Sequence, residues 1–121
     1  MKNAAVWFEI FVADLDRAVR FYQTTLGIEL RRVDFTGKPM AIFPKSEGAA
    51  GGALVRDPAR APGGAGTLVY LGADGKLDAC LARVAHAGGS VLLPRTDIGE
   101  PGLIAVVRDT EGNSVGLHSE R

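Results

Sequence analysis

Residues 8–27 read FEIFVADLDRAVRFYQTTLG and predict a strand, a capped helix and a glycine stop in one run. Val6–Val12 is apolar apart from Glu9, and its β-branched and aromatic residues favour a strand buried on both faces. Asp14 is a suitable N-cap, and apolar residues then recur at helical spacing up to Gly27, a typical residue after a helix. This strand and helix open the fold.

The rest of the chain divides into short predicted elements. Residues 57–66 are rich in Gly and Pro and lack periodicity, which predicts a linker. Before it we expect three strands, at residues 29–35, 39–43 and 51–56. After it the pattern restarts with a strand, a helix closed by Gly88-Gly89 and three more strands, at residues 67–71, 77–84, 90–93, 103–107 and 113–118.

The second half is a weaker copy of the first. One set of matches keeps a constant separation along the chain between the two copies: these are Leu15, Asp16, Val19 and Gly27, which correspond to Leu77, Asp78, Leu81 and Gly89. At a slightly larger spacing, Ala41, Glu47, Gly48 and Gly52 recur as Ala105, Glu111, Gly112 and Gly116. The repeat predicts an α+β fold of two tandem β-α-β-β-β modules, with curved mixed sheets around a concave cavity and helices outside. We expect one domain over residues 1–121, with modules at about 1–56 and 67–121.

Composition narrows the class of protein. Acidic and basic residues balance at 14 each, which argues against a nucleic-acid partner and an anionic membrane surface. Glu9 interrupts the apolar start, and a charged helix follows, unlike a membrane span or signal peptide. Cys80 is the only cysteine, so neither an intrachain disulfide nor a multi-cysteine metal site is available. The expectation is a cytoplasmic protein.

Two segments carry a resemblance to a known family. Val12–Gly27 and Asp109–Leu117 (DTEGNSVGL), with the paired modules around them, resemble the vicinal oxygen chelate superfamily, which includes glyoxalase I, extradiol dioxygenases and bleomycin-resistance proteins. The resemblance implies the same fold and an enclosed small-molecule site. It does not fix the reaction, because one scaffold hosts several chemistries.

Metal-dependent members of that superfamily carry His or Glu ligands on the first and last strands of each module. The resemblance places these positions at Trp7 and Gly116, with the symmetry-related pair at Gly52 or Ala53 and at Thr67 or Val69. None of these side chains is a strong ligand for a divalent metal. We therefore expect no metal and no cofactor.

Glu9 and His118 are the candidate catalytic residues. Strand alternation places Glu9 with Trp7 and Phe11 on the inward face, where a carboxylate is a general base or an anchor for a cationic or hydroxylated ligand. His118 shares the parity of Gly116, so it is a candidate acid/base partner across the cavity. The alternatives are a structural carboxylate satisfied by a nearby Arg or Tyr, and an exposed histidine in a fraying terminal strand.

Apolar residues are expected to form the rest of the concave wall. The candidate ligand-binding set is Trp7, Glu9, Phe11, Leu54, Val69, Leu71 and His118. The alternative is that these aromatic and aliphatic residues simply fill a core. Arg56 and Arg60 in or near the linker would attract an anion, although single linker arginines are usually solvated.

Two function classes follow from these patterns. The first is a metal-independent small-molecule-binding protein of the bleomycin-resistance type, acting as a homodimer that covers its apolar edges and faces. The second is a lyase or isomerase that uses Glu9, with or without His118, for proton transfer next to a carbonyl.

Overall fold

The computed structural model describes residues 4–35 and 37–121. Met1–Asn3, which belong to the first predicted module, and Thr36 lie outside the described residues. In chain order the elements are β1 (Trp7–Phe11), α1 (Leu15–Leu26), β2 (Arg31–Phe35), β3 (Lys38–Ile42), β4 (Gly51–Val55), β5 (Tyr70–Gly72), α2 (Leu77–Val84), β6 (Ser90–Asp97), β7 (Leu103–Arg108) and β8 (Ser114–Ser119).

The strands form two mixed sheets with the same connectivity. The first sheet has the order β1-β4-β3-β2 and the second has the order β5-β8-β7-β6. The β1/β4 and β5/β8 pairs are parallel, and the other pairs are antiparallel. The predicted α+β fold of two β-α-β-β-β repeats is thus confirmed, and over residues 4–35 and 37–121 the two sheets do not join into a closed barrel. Neither described helix is long and apolar enough to cross a membrane.

Local sequence signals set the ends of α1 as expected. The Asp14 side chain accepts a hydrogen bond from the backbone N–H of Arg17 at 3.0 Å, which satisfies one free donor of the first turn. At the other end Gly27 has φ 67°, and its N–H donates to Gln23 O at 2.9 Å. This left-handed conformation favours glycine and ends the helix.

Strand burial and strand bounds differ from the sequence predictions in places. β1 is buried on one face only, because Trp7 is 45% exposed and Glu9 is exposed, whereas Ile10 is buried. β6 continues through Pro94 to Asp97, beyond the predicted end at Leu93. Proline is tolerated there because β6 is an edge strand, and the register against β7 is irregular on both sides of Leu93.

One apolar core joins the two repeats. Buried residues of α1 and the first sheet pack in the same cluster as buried residues of α2 and the second sheet, including Ile10, Phe21, Tyr22, Leu54, Leu71, Cys80, Val84 and Leu117. A second, smaller cluster of Met40, Ala53 and Val55 lies on the opposite face of the first sheet, with Phe11 packed against it. The first sheet is therefore apolar on both faces.

The N-terminus of α1 is bound by a carboxylate of the second repeat. Glu111 Oε1 accepts hydrogen bonds from the backbone N–H groups of Ala13 and Asp14 at 2.9 and 2.8 Å. Arg17 adds a two-pronged contact to the same carboxylate at 2.7 and 3.0 Å, and Thr110 Oγ1 donates at 2.9 Å. A buried carboxylate is thus fully paired at the positive end of a helix.

Neighbouring polar residues extend this contact into the core. The Tyr22 hydroxyl donates to Asp109 Oδ2 at 2.6 Å, and Asn113 Nδ2 donates to the same carboxylate at 3.0 Å and to Phe11 O at 2.8 Å. Burial, followed by the charge of Asp109, raises the pKa of Tyr22 well above its ordinary value. The tyrosine therefore stays a hydrogen-bond donor at physiological pH.

The C-terminus of α1 is bound by cations, also from the second repeat. Lys76 Nζ donates to Leu26 O at 2.6 Å, and the Arg83 guanidinium donates to Thr25 O at 3.2 and 3.0 Å. Cations are favourable at this end, where the last carbonyl groups lack partners within the helix.

The Glu111 contacts predict a specific loss of stability in acid. Burial acts to raise the pKa of Glu111, but hydrogen bonds from Arg17, Asp14, Thr110 and Ala13 outweigh it and lower the pKa from 4.5 to about 2. The folded state thus holds the ionised form more strongly than the unfolded chain does. This stabilisation is present above the unfolded pKa and is lost as the pH falls toward the folded pKa.

We therefore expect the free energy of unfolding to differ most between the wild type and Glu111→Gln above pH ~4.5, and the difference to shrink toward pH ~2. Urea unfolding followed by circular dichroism between these pH values measures it. Glu29→Gln, at an exposed site, is the matched control and should track the wild type. A difference that does not vary with pH would contradict the assignment.

Candidate functional site

An open groove of about 560 Å³ lies at the seam between the repeats. One wall is β1, the opposite wall is the start of β8, and linker residues run along the side. The lining residues used below are Trp7, Glu9, Phe11, Gly63, Val69 and Ser114. Its size suits a small organic molecule.

Glu9 is accessible within this groove. Its Oε2 accepts a hydrogen bond from Trp7 Nε1 at 3.2 Å. Among the described residues it forms no ion pair with an arginine, unlike the satisfied structural carboxylate that the sequence left open. The indole and the carboxylate together present an aromatic surface with one negative group.

Phe11 forms a second aromatic surface of the groove. It packs against the Met40, Ala53 and Val55 cluster. The Arg60 guanidinium lies over its ring, 5.4 Å from the ring centroid. This distance is within the range of a cation–π contact. Arg60 of the linker is therefore engaged with the groove wall.

The linker is tied to both repeats. Gly63 N–H donates to Asn113 Oδ1 at 2.8 Å, and Lys38 pairs with Asp57 at 3.1 Å. The backbone N–H of Ala59 and then Lys38 lower the pKa of Asp57. These contacts position residues 61–65 along the groove.

A second open groove, of about 610 Å³, lies beside the first. It is lined mainly by apolar residues, among them Phe8, Leu26, Ile28, Phe43, Val69 and Leu71. Phe8 and Val69 line both grooves. β1 and the segment before β5 therefore border two spaces.

The structure brings only part of the expected ligand-binding set together. Trp7, Glu9, Phe11 and Val69 line the first groove, as the alternation along β1 indicates. Leu54 differs from its expected concave position, because it pairs with Ile10 and is fully buried in the core beside α1. Leu71 also lies in that core, paired with Leu117, and touches only the second groove.

His118 is not brought to Glu9. It pairs with Gly72 and Ile104 near the end of β8, and its Nε2 lies 2.5 Å from Pro101 O. It lines neither groove, whereas Glu9 lies in the first. The expected acid/base pair across the cavity does not form in this arrangement.

Comparisons with known proteins agree with this fold. The family model of the Glyoxalase/Bleomycin resistance protein/Dioxygenase superfamily matches residues 4–117. The chain belongs to this superfamily. No curated protein matches it.

Several solved structures share the superfamily fold with this chain. A glyoxalase/bleomycin resistance protein from Albidiferax ferrireducens is 20% identical, with a TM-score of 0.76 over 98% of this chain and 100% of that one. A glyoxylase/bleomycin resistance protein/dioxygenase domain from a Frankia species is 19% identical, with a TM-score of 0.74 and 98% of each chain covered. A glyoxalase I mutant from Zea mays is 22% identical, with a TM-score of 0.68 over 93% of this chain and 45% of that one.

The metal-ligand positions of the superfamily do not fit a metal in this member. A Cβ atom at Gly116 would overlap the ring of Tyr70, and a Cβ atom at Gly52 would overlap the ring of Phe8. The indole N–H of Trp7 already donates a hydrogen bond to Glu9. Among residues 4–35 and 37–121, no three His, Cys, Asp or Glu side chains group into a metal site.

Sequence reasoning missed the pairing of aromatic rings with glycines. Across the parallel strand pairs, Trp7 lies opposite Gly51, Phe8 opposite Gly52 and Tyr70 opposite Gly116. The sequence contained the signal, because aromatic residues on the first strand of each repeat match glycines on its last strand. The rings occupy the space that side chains would otherwise fill.

This pairing predicts that Gly52→Ala destabilises the protein by about 1–3 kcal/mol, because the added methyl overlaps the Phe8 ring. Gly63→Ala is the matched control, since a Cβ there meets nothing within 4 Å and its φ is not positive. Urea unfolding midpoints of both variants measure the difference. Equal stability of the two variants would show that the Phe8 ring is free to move aside.

Proposed function

We propose that the chain binds a small organic molecule in the seam groove without a divalent metal, as a cytoplasmic homodimer. One observation carries this proposal: the Glu9 carboxylate, held by Trp7, is accessible on an aromatic wall of an open groove. Binding sites typically combine such apolar walls with few polar groups. At the positions that the resemblance assigns to metal ligands, this chain has no side chain that binds a divalent metal strongly, which supports ligand binding without a metal.

Bleomycin resistance-type names among the structural relatives agree with a binding role. Their identity to this chain is 19–20%, so they support the fold and leave the ligand open. Residues that recognise the ligand must therefore come from this chain's own groove.

Enzymatic proton transfer is the second candidate function, and it depends on Glu9 alone. An accessible carboxylate with one hydrogen bond from Trp7 has an oxygen available to accept a proton from a carbon next to a carbonyl. His118 lies elsewhere, so this mechanism lacks the partner that the sequence suggested. A Glu9→Gln variant that keeps full turnover on an identified substrate would exclude it.

A thermal-shift screen of small metabolites, run with and without a chelator, tests the binding function. A ligand that binds only the folded state at ~100-fold above its Kd adds about 2.7 kcal/mol of stability. We expect hits whose shifts survive the chelator and fall in Glu9→Gln, with Glu29→Gln as control. Hits that need a divalent metal, or a screen of broad chemistry without hits, would contradict the proposal.

The dimer is supported by exposed apolar residues on an edge strand. Val91, Leu92 and Leu93 of β6 are all exposed, and β6 lies at the edge of its sheet. Such an edge is usually covered by another chain or by charge.

We expect Leu92→Lys to shift the protein from dimer to monomer, because a buried lysine at the covered edge lacks a partner. Light scattering after gel filtration measures the mass. Ile98→Lys, at an exposed apolar residue just after β6, is the control and should leave the mass unchanged. A monomeric wild type would contradict the dimer.

A further inference from the structure

We propose that the seam groove selects an organic cation with an apolar body. The inference rests on the proposed binding function and names its ligand class. It comes from the charge of the groove and from one contact of the linker.

The groove combines one negative group with aromatic surfaces. Glu9 is the only ionisable side chain among the described residues that line it. Trp7 and Phe11 lie on either side of Glu9 along β1 and share its face. Aromatic faces attract cations, and a nearby carboxylate adds a negative charge that attracts them further. An anion would instead meet the Glu9 charge on apolar walls.

Arg60 shows that the Phe11 face holds a cation. Its guanidinium lies 5.4 Å from the ring centroid. Arg60 is itself exposed, and it belongs to a turn in which its N–H donates to Asp57 O at 2.9 Å. Arg60 is not among the residues that line the seam groove, so its contact is evidence that the Phe11 ring attracts a cation and does not fill the ligand's position.

The contact with Phe11 also bears on whether the arginines in and near the linker form an anion site. An anion site would need Arg60 free, but its guanidinium faces Phe11 and lies near the Asp57 carboxylate. Arg56 lies in the same segment, and no cation–π contact is found for it among the described residues. It therefore provides a comparison of equal charge without the ring.

Trp7 is the only tryptophan in the chain, so its fluorescence reports on the groove directly. Three probes of similar size separate the charge classes: benzyltrimethylammonium, neutral benzyl alcohol and benzenesulfonate. Each is titrated against the full chain at low ionic strength. We expect a saturable change with the cation, at least about fivefold weaker binding of the alcohol and no saturation with the anion.

Two variants with matched controls test the contacts. Glu9→Gln should weaken binding of the cation about fivefold and leave the alcohol unchanged, while Glu29→Gln changes neither. Arg60→Ala and Arg56→Ala each remove one positive charge outside the groove lining, and each should change binding of the cation by less than about twofold. Unfolding midpoints confirm that each variant is folded.

The outcomes separate this inference from the binding function. Equal binding of the three probes overturns cation selection and leaves a groove that binds organic molecules. Unchanged cation binding in Glu9→Gln overturns the role of the Glu9 charge. If no probe binds but the metabolite screen gives neutral or anionic ligands that depend on the groove, the ligand class is wrong and the binding function stands. If neither experiment gives a ligand, both proposals fail.

Discussion

The fold depends on a single helix whose two ends are satisfied by the other repeat. Glu111 accepts hydrogen bonds from the free backbone N–H groups just before α1, while Lys76 and Arg83 donate to the last carbonyl groups of the helix. Each contact pairs a charge with the helix end of opposite polarity, where it is most favourable. Capping within α1 by Asp14 and Gly27 is therefore only part of its stabilisation.

A polar residue next to these contacts, Asn113, positions the candidate site. Asn113 donates to Phe11 O and accepts from Gly63 N–H, so one side chain joins the two walls of the groove to the linker beside it. Aromatic rings over glycines then shape the surface, because the Phe8 ring covers Gly52 and the Tyr70 ring covers Gly116. The groove consequently has aromatic walls, with Glu9 as the one ionisable side chain among the described residues that line it.

The fold was largely predictable from sequence, because its signals are local. Helical spacing after Asp14, the glycine stops and the internal repeat need no knowledge of distant contacts. The site was predictable only along β1, where alternation puts Trp7, Glu9 and Phe11 on one face. Leu54 and His118 were misplaced because their surroundings depend on strand register and on the Pro101 loop. Likewise, the sequence showed Glu111 in a motif, but only tertiary structure shows what it binds.

The contacts that the second repeat makes with α1 also bear on the order of folding during synthesis. As the first repeat leaves the ribosome, α1 has only its local caps, Asp14 and Gly27, and its other partners lie far ahead in the chain. Contacts of such sequence separation form late. The first half therefore lacks these contacts until the turn before β8 has emerged. The repeat looks like two units, but it completes its fold as one.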